Sequence, residues 1–253
     1  MPQPGSTIEH AMSAPTRLLL LIALWSSSTS AAPPASQAQR TAHSATASHA
    51  AISLGPWSVQ WSETQLTATA YGQPAMSLSE HIDGPDEHGY RSQEHFQVRS
   101  MVGPWLSVDH SWYSEGGAHP SYGIDRTTHD ITRGGQAIAL NEIFSEAVLF
   151  EALRADTVIQ KYLRDASVET LSELQQSLYG ECAVSFSGLL TSWAFHHVRG
   201  DQVAVRIGLG HGCEVERGNF TELGLYLPIP SHLRSTIMAA DEAGTLMDDL
   251  SPR

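Results

Sequence analysis

The segment Phe-Gln-Val-Arg-Ser-Met-Val-Gly-Pro-Trp-Leu-Ser-Val-Asp-His-Ser-Trp, residues 96–112, decides the fold. Phe96, Val98, Ser100 and Val102 recur at every second position, and Leu106, Val108, His110 and Trp112 do the same after Gly103-Pro104. A period of two puts each set on one face of a strand, and the Gly-Pro pair between them signals a turn, so the two runs read as antiparallel neighbours. Upstream, Trp57, Val59 and Trp61 share one face and Leu66, Ala68 and Ala70 another, which predicts a strand with an irregularity between the sets. Residues 79–92, rich in Gly, Pro, Asp, Glu and His, read as a long acidic loop.

Downstream the period changes. Asn141 is placed to cap a helix carrying Glu142 in its first turn, and Ile143, Phe144, Val148, Ala152, Leu153, Ile159 and Leu163 give it one long core-facing stripe. Val168, Leu171, Leu174 and Leu178 form a second, short amphipathic helix that ends before Gly180. Strands then return: Trp193 to Val198, the turn Arg199-Gly200-Asp201, and Val203, Val205, Ile207 and Leu209 make a hairpin. Leu223, Leu225, Leu227 and Ile229 add a strand closed by Pro228 and Pro230, with a short helix from His232. Strands, then helices, then strands predict an α+β fold, with a mixed or antiparallel sheet and one long and one or two short helices packed on it.

The ends have a different character. Residues 18–25, Leu-Leu-Leu-Leu-Ile-Ala-Leu-Trp, follow Arg17 and precede the small residues 26–31, the layout of a secretory signal peptide over residues 1–31 with cleavage after Ala31. Eight apolar residues at ~1.5 Å per residue are too short to span a membrane as a helix. Residues 32–51, small and polar with two prolines, read as a flexible linker, the folded domain as residues 52–240, and residues 241–253 as an acidic tail. The location implied is periplasmic or secreted.

Lys and Arg total 14 against 27 Asp and Glu, a net charge of −13, which lacks the basic footprint of a nucleic-acid binder. The two cysteines, Cys182 and Cys213, read as one disulfide in an exported chain, or as two separate thiols should they lie apart.

Two further stretches carry a family resemblance. Tyr113-Ser114-Glu115-Gly116-Gly117-Ala118-His119-Pro120 is followed at a fixed interval by Gly135-Gln136-Ala137-Ile138-Ala139-Leu140-Asn141-Glu142-Ile143-Phe144. A strand, a GGAHP turn, a second strand with Asp125 and an "EIF" helix start resemble the DUF3298 family, often paired with DUF4163, over residues 57–233. That family resemblance reaches the extracytoplasmic domain of RsiV-type anti-sigma factors, which sense lysozyme, and the non-catalytic N-terminal part of some peptidoglycan deacetylases. It implies a binding module of the bacterial cell envelope recognising a basic protein such as a lysozyme, or a cell-wall glycan. The binding residues it marks are Tyr113, Glu115, Gly116, Gly117, His119 and Pro120. Two glycines permit backbone angles closed to other residues and Pro120 stiffens the exit, so the turn positions His119 either to recognise a partner or to hold itself together.

Other chemistry finds little footing. Among 13 histidines, His196 and His197 are adjacent on a strand and so are expected on opposite faces, unable to share an ion. His110, His129 and Asp130 are candidates to meet across a sheet, yet no HxxxH, CxxC or HxxE spacing gathers metal ligands, and no cofactor is implied. No Gly-x-Ser-x-Gly nucleophile motif occurs. The alternative to a binding module is a small cell-envelope carbohydrate hydrolase using His119 and nearby carboxylates.

Overall fold

Four consecutive strands, Ala50–Leu54 (β1), Trp57–Trp61 (β2), Gln65–Ala70 (β3) and Gln73–Ser79 (β4), form an antiparallel meander in chain order. The computed structural model describes residues 50–62, 65–79, 91–115, 119–178, 182, 184–213 and 220–250, all within the unit Ala45–Arg253. The signal-peptide expectation, most of the linker and the acidic loop 80–90 lie outside these residues. The last two linker positions, Ala50 and Ala51, instead open β1. The irregular strand expected over residues 57–70 is a hairpin: the Ser62 amide donates to the Gln65 carbonyl at 2.7 Å and reverses the chain, so β2 and β3 pair.

The quoted segment supplies the centre of a second antiparallel sheet, Arg91–Val102 (β5), Trp105–Glu115 (β6), Ser121–Asp130 (β7) and the two-residue Gln136–Ala137 (β8). Its turn falls at Gly103-Pro104, as the sequence predicts, with Val102 opposite Trp105. One correction concerns faces. A bulge between Val98 and Ser100 inserts Arg99, so Phe96, Val98 and Met101 pack on the meander while Ser100 and Val102 turn to the other side. Val59, Leu66, Ala68 and Met76 of the meander meet Phe96, Val98, Met101, Leu106 and Val108 in a dry cluster.

The expected long helix is two. Leu140–Glu142, which contains Asn141, is a 3-10 turn, and the helix Glu146–Ala155 (α1) is capped by Ser145. Asp156 adopts an extended backbone (φ −73°, ψ 134°), and its carboxylate accepts the amides of Val158 and Ile159 at 2.9 and 3.0 Å, so that it ends α1 and caps Thr157–Leu163 (α2). The short third helix, Leu171–Ser177 (α3), lies where expected, with Thr170 as cap. A last sheet follows: Trp193–Arg199 (β9), Gln202–Leu209 (β10) and Thr221–Pro228 (β11), in the order β11-β10-β9. One face of it joins the helices in the main core, with Leu153, Ile159, Leu174, Phe195, Val205 and Leu225 all buried.

The short helix expected from His232 is Arg234–Glu242 (α4). The acidic tail departs from expectation: Met247–Leu250 (α5) is helical, Leu246 and Met247 are buried, and the Thr245 hydroxyl donates to the Met101 carbonyl at 2.6 Å. Charge hid two apolar anchors there. The architecture is α+β with three antiparallel sheets.

Candidate functional site

The second face of the central sheet changes character along the paired strands β6 and β7. At the inner end Trp105 packs against Phe195 of the third sheet, ring centroids 6.2 Å apart. Next come hydroxyls in a row: Ser100 donates to Ser107 at 3.0 Å, Ser107 and Thr128 share a bond at 2.8 Å, and Thr128 donates to the Trp193 carbonyl at 2.5 Å. This chain joins β5, β6, β7 and β9, and it satisfies polar groups that burial would otherwise penalise.

Further out lies a buried ion network. Arg126, 3% exposed, holds Asp109 through two parallel bonds, Nε to Oδ1 at 2.7 Å and Nη2 to Oδ2 at 2.9 Å. Its Nη1 lies 2.7 Å from Glu222 Oε1, an ion-pair contact whose angle falls short of a directed hydrogen bond. Arg99, the bulged residue of β5, reaches Asp109 from the other side at 3.3 Å. Burial opposes the guanidinium charge of Arg126, but Asp109 and Glu222 outweigh it and hold the pKa above its ordinary value. Two cations and two carboxylates alternate, so the network is neutral within itself.

The outer end faces solvent. Tyr113 stands opposite Tyr122, and Ser111 opposite Ile124. Tyr122 is 50% and Ile124 39% exposed. On the reverse face Trp112 lies over Gly123, where a Cβ would come within 2.8 Å of the indole, so only glycine admits this approach. The Trp112 Nε1 donates to Asp125 Oδ2 at 3.2 Å, and the Tyr113 hydroxyl donates to Glu115 Oε2 at 3.1 Å. Accepting that bond, the Glu115 carboxylate raises the Tyr113 phenol above its ordinary pKa. Aromatic rings and carboxylates are thus interleaved on both faces of one projecting strand pair.

Of the binding residues read from the sequence, Tyr113 and Glu115 are brought together at the end of β6. Gly116 and Gly117 lie outside the described residues. His119 and Pro120 are exposed immediately before β7, and among the described residues His119 makes no ion pair with a carboxylate. His110, His129 and Asp130 do not meet: His110 pairs with Asp125, His129 with Leu106 and Asp130 with Trp105.

His196 and His197 require a correction. A bulge at this point of β9 makes His196 the extra residue, with Phe195 and His197 opposite consecutive residues of β10, and the alternation that separates neighbouring side chains fails. The two Nδ1 atoms approach to 2.7 Å, and His197 Nε2 lies 3.2 Å from the Tyr226 hydroxyl. Burial first, then Arg206 and His197, hold the His196 pKa below its ordinary value. Which of the two Nδ1 atoms donates is set by the ring tautomers. Among the described residues no group of three or more His, Cys, Asp or Glu is arranged to hold a metal ion.

A groove of roughly 480 Å³ runs beside Ile124–Thr127 of β7. The rest of its lining comes from residues 137–139, Glu142, the segment 187–192, and Gly208, Gly210 and Phe220. Phe220 covers Gly208, where a Cβ would fall 2.2 Å from the ring, and stacks on the Arg126 guanidinium at 5.3 Å. The Cys182–Cys213 disulfide, the pairing read from the sequence, fastens this region: its Cα atoms are 4.7 Å apart, and the Ser185 amide donates to the Gly210 carbonyl at 2.7 Å. Sequence reasoning named neither the groove nor the Asp109–Arg126 pair. The available signal was an Asp and an Arg within strands at positions in phase with Ser107 and Thr128, where burial demands a partner. Comparisons with protein families, curated proteins and solved structures found no match to the chain.

Proposed function

We propose that the protein is a binding module of the bacterial cell envelope, periplasmic or secreted, whose partner is a basic protein of the lysozyme kind. The observation that carries this reading is the outer end of β6 and β7, where exposed Tyr122 and Ile124 stand beside carboxylates oriented by aromatic donors. Aromatic side chains supply contact area and cation–π attraction, and carboxylates supply charge for Lys and Arg. A net charge of −13 steers a cationic partner toward the molecule from a distance. The disulfide fits an oxidising compartment, and no described helix is long and apolar enough to cross a membrane. The DUF3298 resemblance supports the same partner class. The hydrolase alternative is the less supported, because His119 is exposed and is not among the residues that line the groove.

The test is titration of residues 32–253 with a basic lysozyme, an acidic protein of similar size and soluble peptidoglycan fragments. Lysozyme is expected to bind at low salt, with affinity falling steeply as salt rises, and Tyr122→Ala or Asp125→Asn should weaken it by about tenfold. Binding of glycan fragments alone would replace the basic protein by a carbohydrate ligand, and binding of neither would refute the reading.

A further inference from the structure

Strand β7 is open along most of one edge among the described residues. Among the described residues it pairs with β6 over residues 121–130 but with β8 only at His129 and Asp130. The Ile138 amide donates to the Thr128 carbonyl at 2.9 Å, so the backbone groups of Thr128 point away from β6. Strand backbone groups alternate in direction, and the N–H and C=O of Arg126 and Ile124 therefore point the same way, into the groove that Ile124–Thr127 lines. These four positions span about 13 Å at a strand rise of ~3.3 Å. Across the groove the lining is small, with Ser187, Gly188 and Gly210, and a Cβ at Gly210 would meet open space. A chain can approach closely there.

We infer that the β7 edge takes an extended, lysine- or arginine-bearing peptide segment as an added strand, a mode that rests on the proposed basic partner and specifies how it docks. Backbone hydrogen bonds to Ile124 and Arg126 supply the register, as in other strand additions. Charge selects the occupant. Asp125 lines the groove and makes no ion pair with a described cation, whereas Glu142 is matched by Arg133 and Arg126 is consumed by Asp109 and Glu222, which leaves the groove's charge balance negative. A second copy of this chain is disfavoured as occupant because it would bring another −13 to the same edge.

The test uses a capped peptide of alternating threonine and lysine, compared with the same peptide N-methylated at alternate amides, which keeps charge but removes donors. The parent peptide is expected to bind and to shift the Ile124 and Arg126 amide resonances, and methylation is expected to weaken it by about tenfold or more. Ile124→Pro removes an outward donor without touching the β6 ladder and should weaken the parent peptide similarly. The methylated peptide is measured on the unaltered protein, so the comparison holds even if the proline variant unfolds. Equal binding of both peptides, no binding of the parent, or a β7-to-β7 dimer in sedimentation would each overturn edge addition. Lysozyme binding that persists in Ile124→Pro but falls in Tyr122→Ala would retain the basic partner while removing the edge, which separates the two failures.

Discussion

The inner and outer halves of the β6–β7 ladder share one alternating pattern and one register, yet only the inner half is covered. From Trp105 to Asp109, opposite Arg126 to Asp130, side chains on the second face are sealed by the third sheet. From His110 to Ser114, opposite Ser121 to Asp125, the cover thins: the β6 residues are half-buried, and Tyr122, Ile124 and Asp125 of β7 are exposed. Polarity on the inner half is spent on other residues of the chain: hydroxyl to hydroxyl, carboxylate to guanidinium. On the outer half the same residue classes, joined by aromatics, are left partly exposed. A strand pair extended beyond its support leaves edge groups and apolar side chains exposed, and under the proposed function that exposed surface is the one that meets the partner.

The largest effect is expected at the inner ion network. Arg126→Ala leaves Asp109 buried without its two-bond partner and should destabilise by about 3–5 kcal/mol in denaturant unfolding. Replacing the central pair, Asp109→Leu with Arg126→Met, should recover part of that loss, since it removes the orphaned Asp109 charge but leaves the less buried Arg99 and Glu222 without partners. A double variant as unstable as the single one would show the network to be a net source of stability. Second is the disulfide that fastens the groove. Its 31-residue separation makes reduction worth about 3.7 kcal/mol by chain entropy, read as a fall in melting temperature. Third, Thr128→Val cuts the hydroxyl chain between Ser107 and the Trp193 carbonyl and should cost about 1–2 kcal/mol, more than Tyr122→Ala on the outer half, which should stay within about 0.5 kcal/mol.

The smallest expected effect is a pH dependence centred on the inner half. Burial holds the His129 imidazole below its ordinary pKa, against the pull of its bond to the Gly135 carbonyl. The unfolded chain then binds the proton more readily than the folded one, so stability is full above ~6.5 and declines as pH falls through that value. His196 shifts the same way, and His129→Gln should therefore remove part of the slope that opens as pH falls below about 6.5 and leave the rest. Asp130 works in a separate window: despite burial, Thr132 and Arg133 hold its pKa low, and its contribution is lost only as pH falls below ~4.

The sequence made the inner ladder legible because period-two alternation survives wherever a strand has one dry face. Leu106 and Val108 announced β6, and Val203 to Leu209 announced β10. It misled wherever a single residue broke the period. Arg99 and His196 are bulged residues, and a bulge leaves no mark in composition, so Ser100 and Val102 were assigned to the wrong face and His196 and His197 to opposite ones. Asp156 interrupts an apolar stripe whose spacing suits one helix, and only its extended backbone reveals two. β4 escaped because Gln73–Ser79 buries just Met76. For the candidate site, the nearness of Tyr113 to Glu115 follows from their two-residue spacing on one strand face, whereas the groove was not legible: it is made by β7, the 187–192 segment and β10, distant in sequence and brought together by the fold.

The most direct measurement of the account is amide hydrogen exchange of the protein with and without a basic lysozyme at low salt. The prediction is slowed exchange at Ile124 and Arg126, with lesser protection over residues 110–115 and no change in the meander β1–β4. Protection confined to the meander or to the helices, or an unaltered pattern under conditions where lysozyme is bound, would contradict the assignment of the outer β6–β7 ladder as the binding surface.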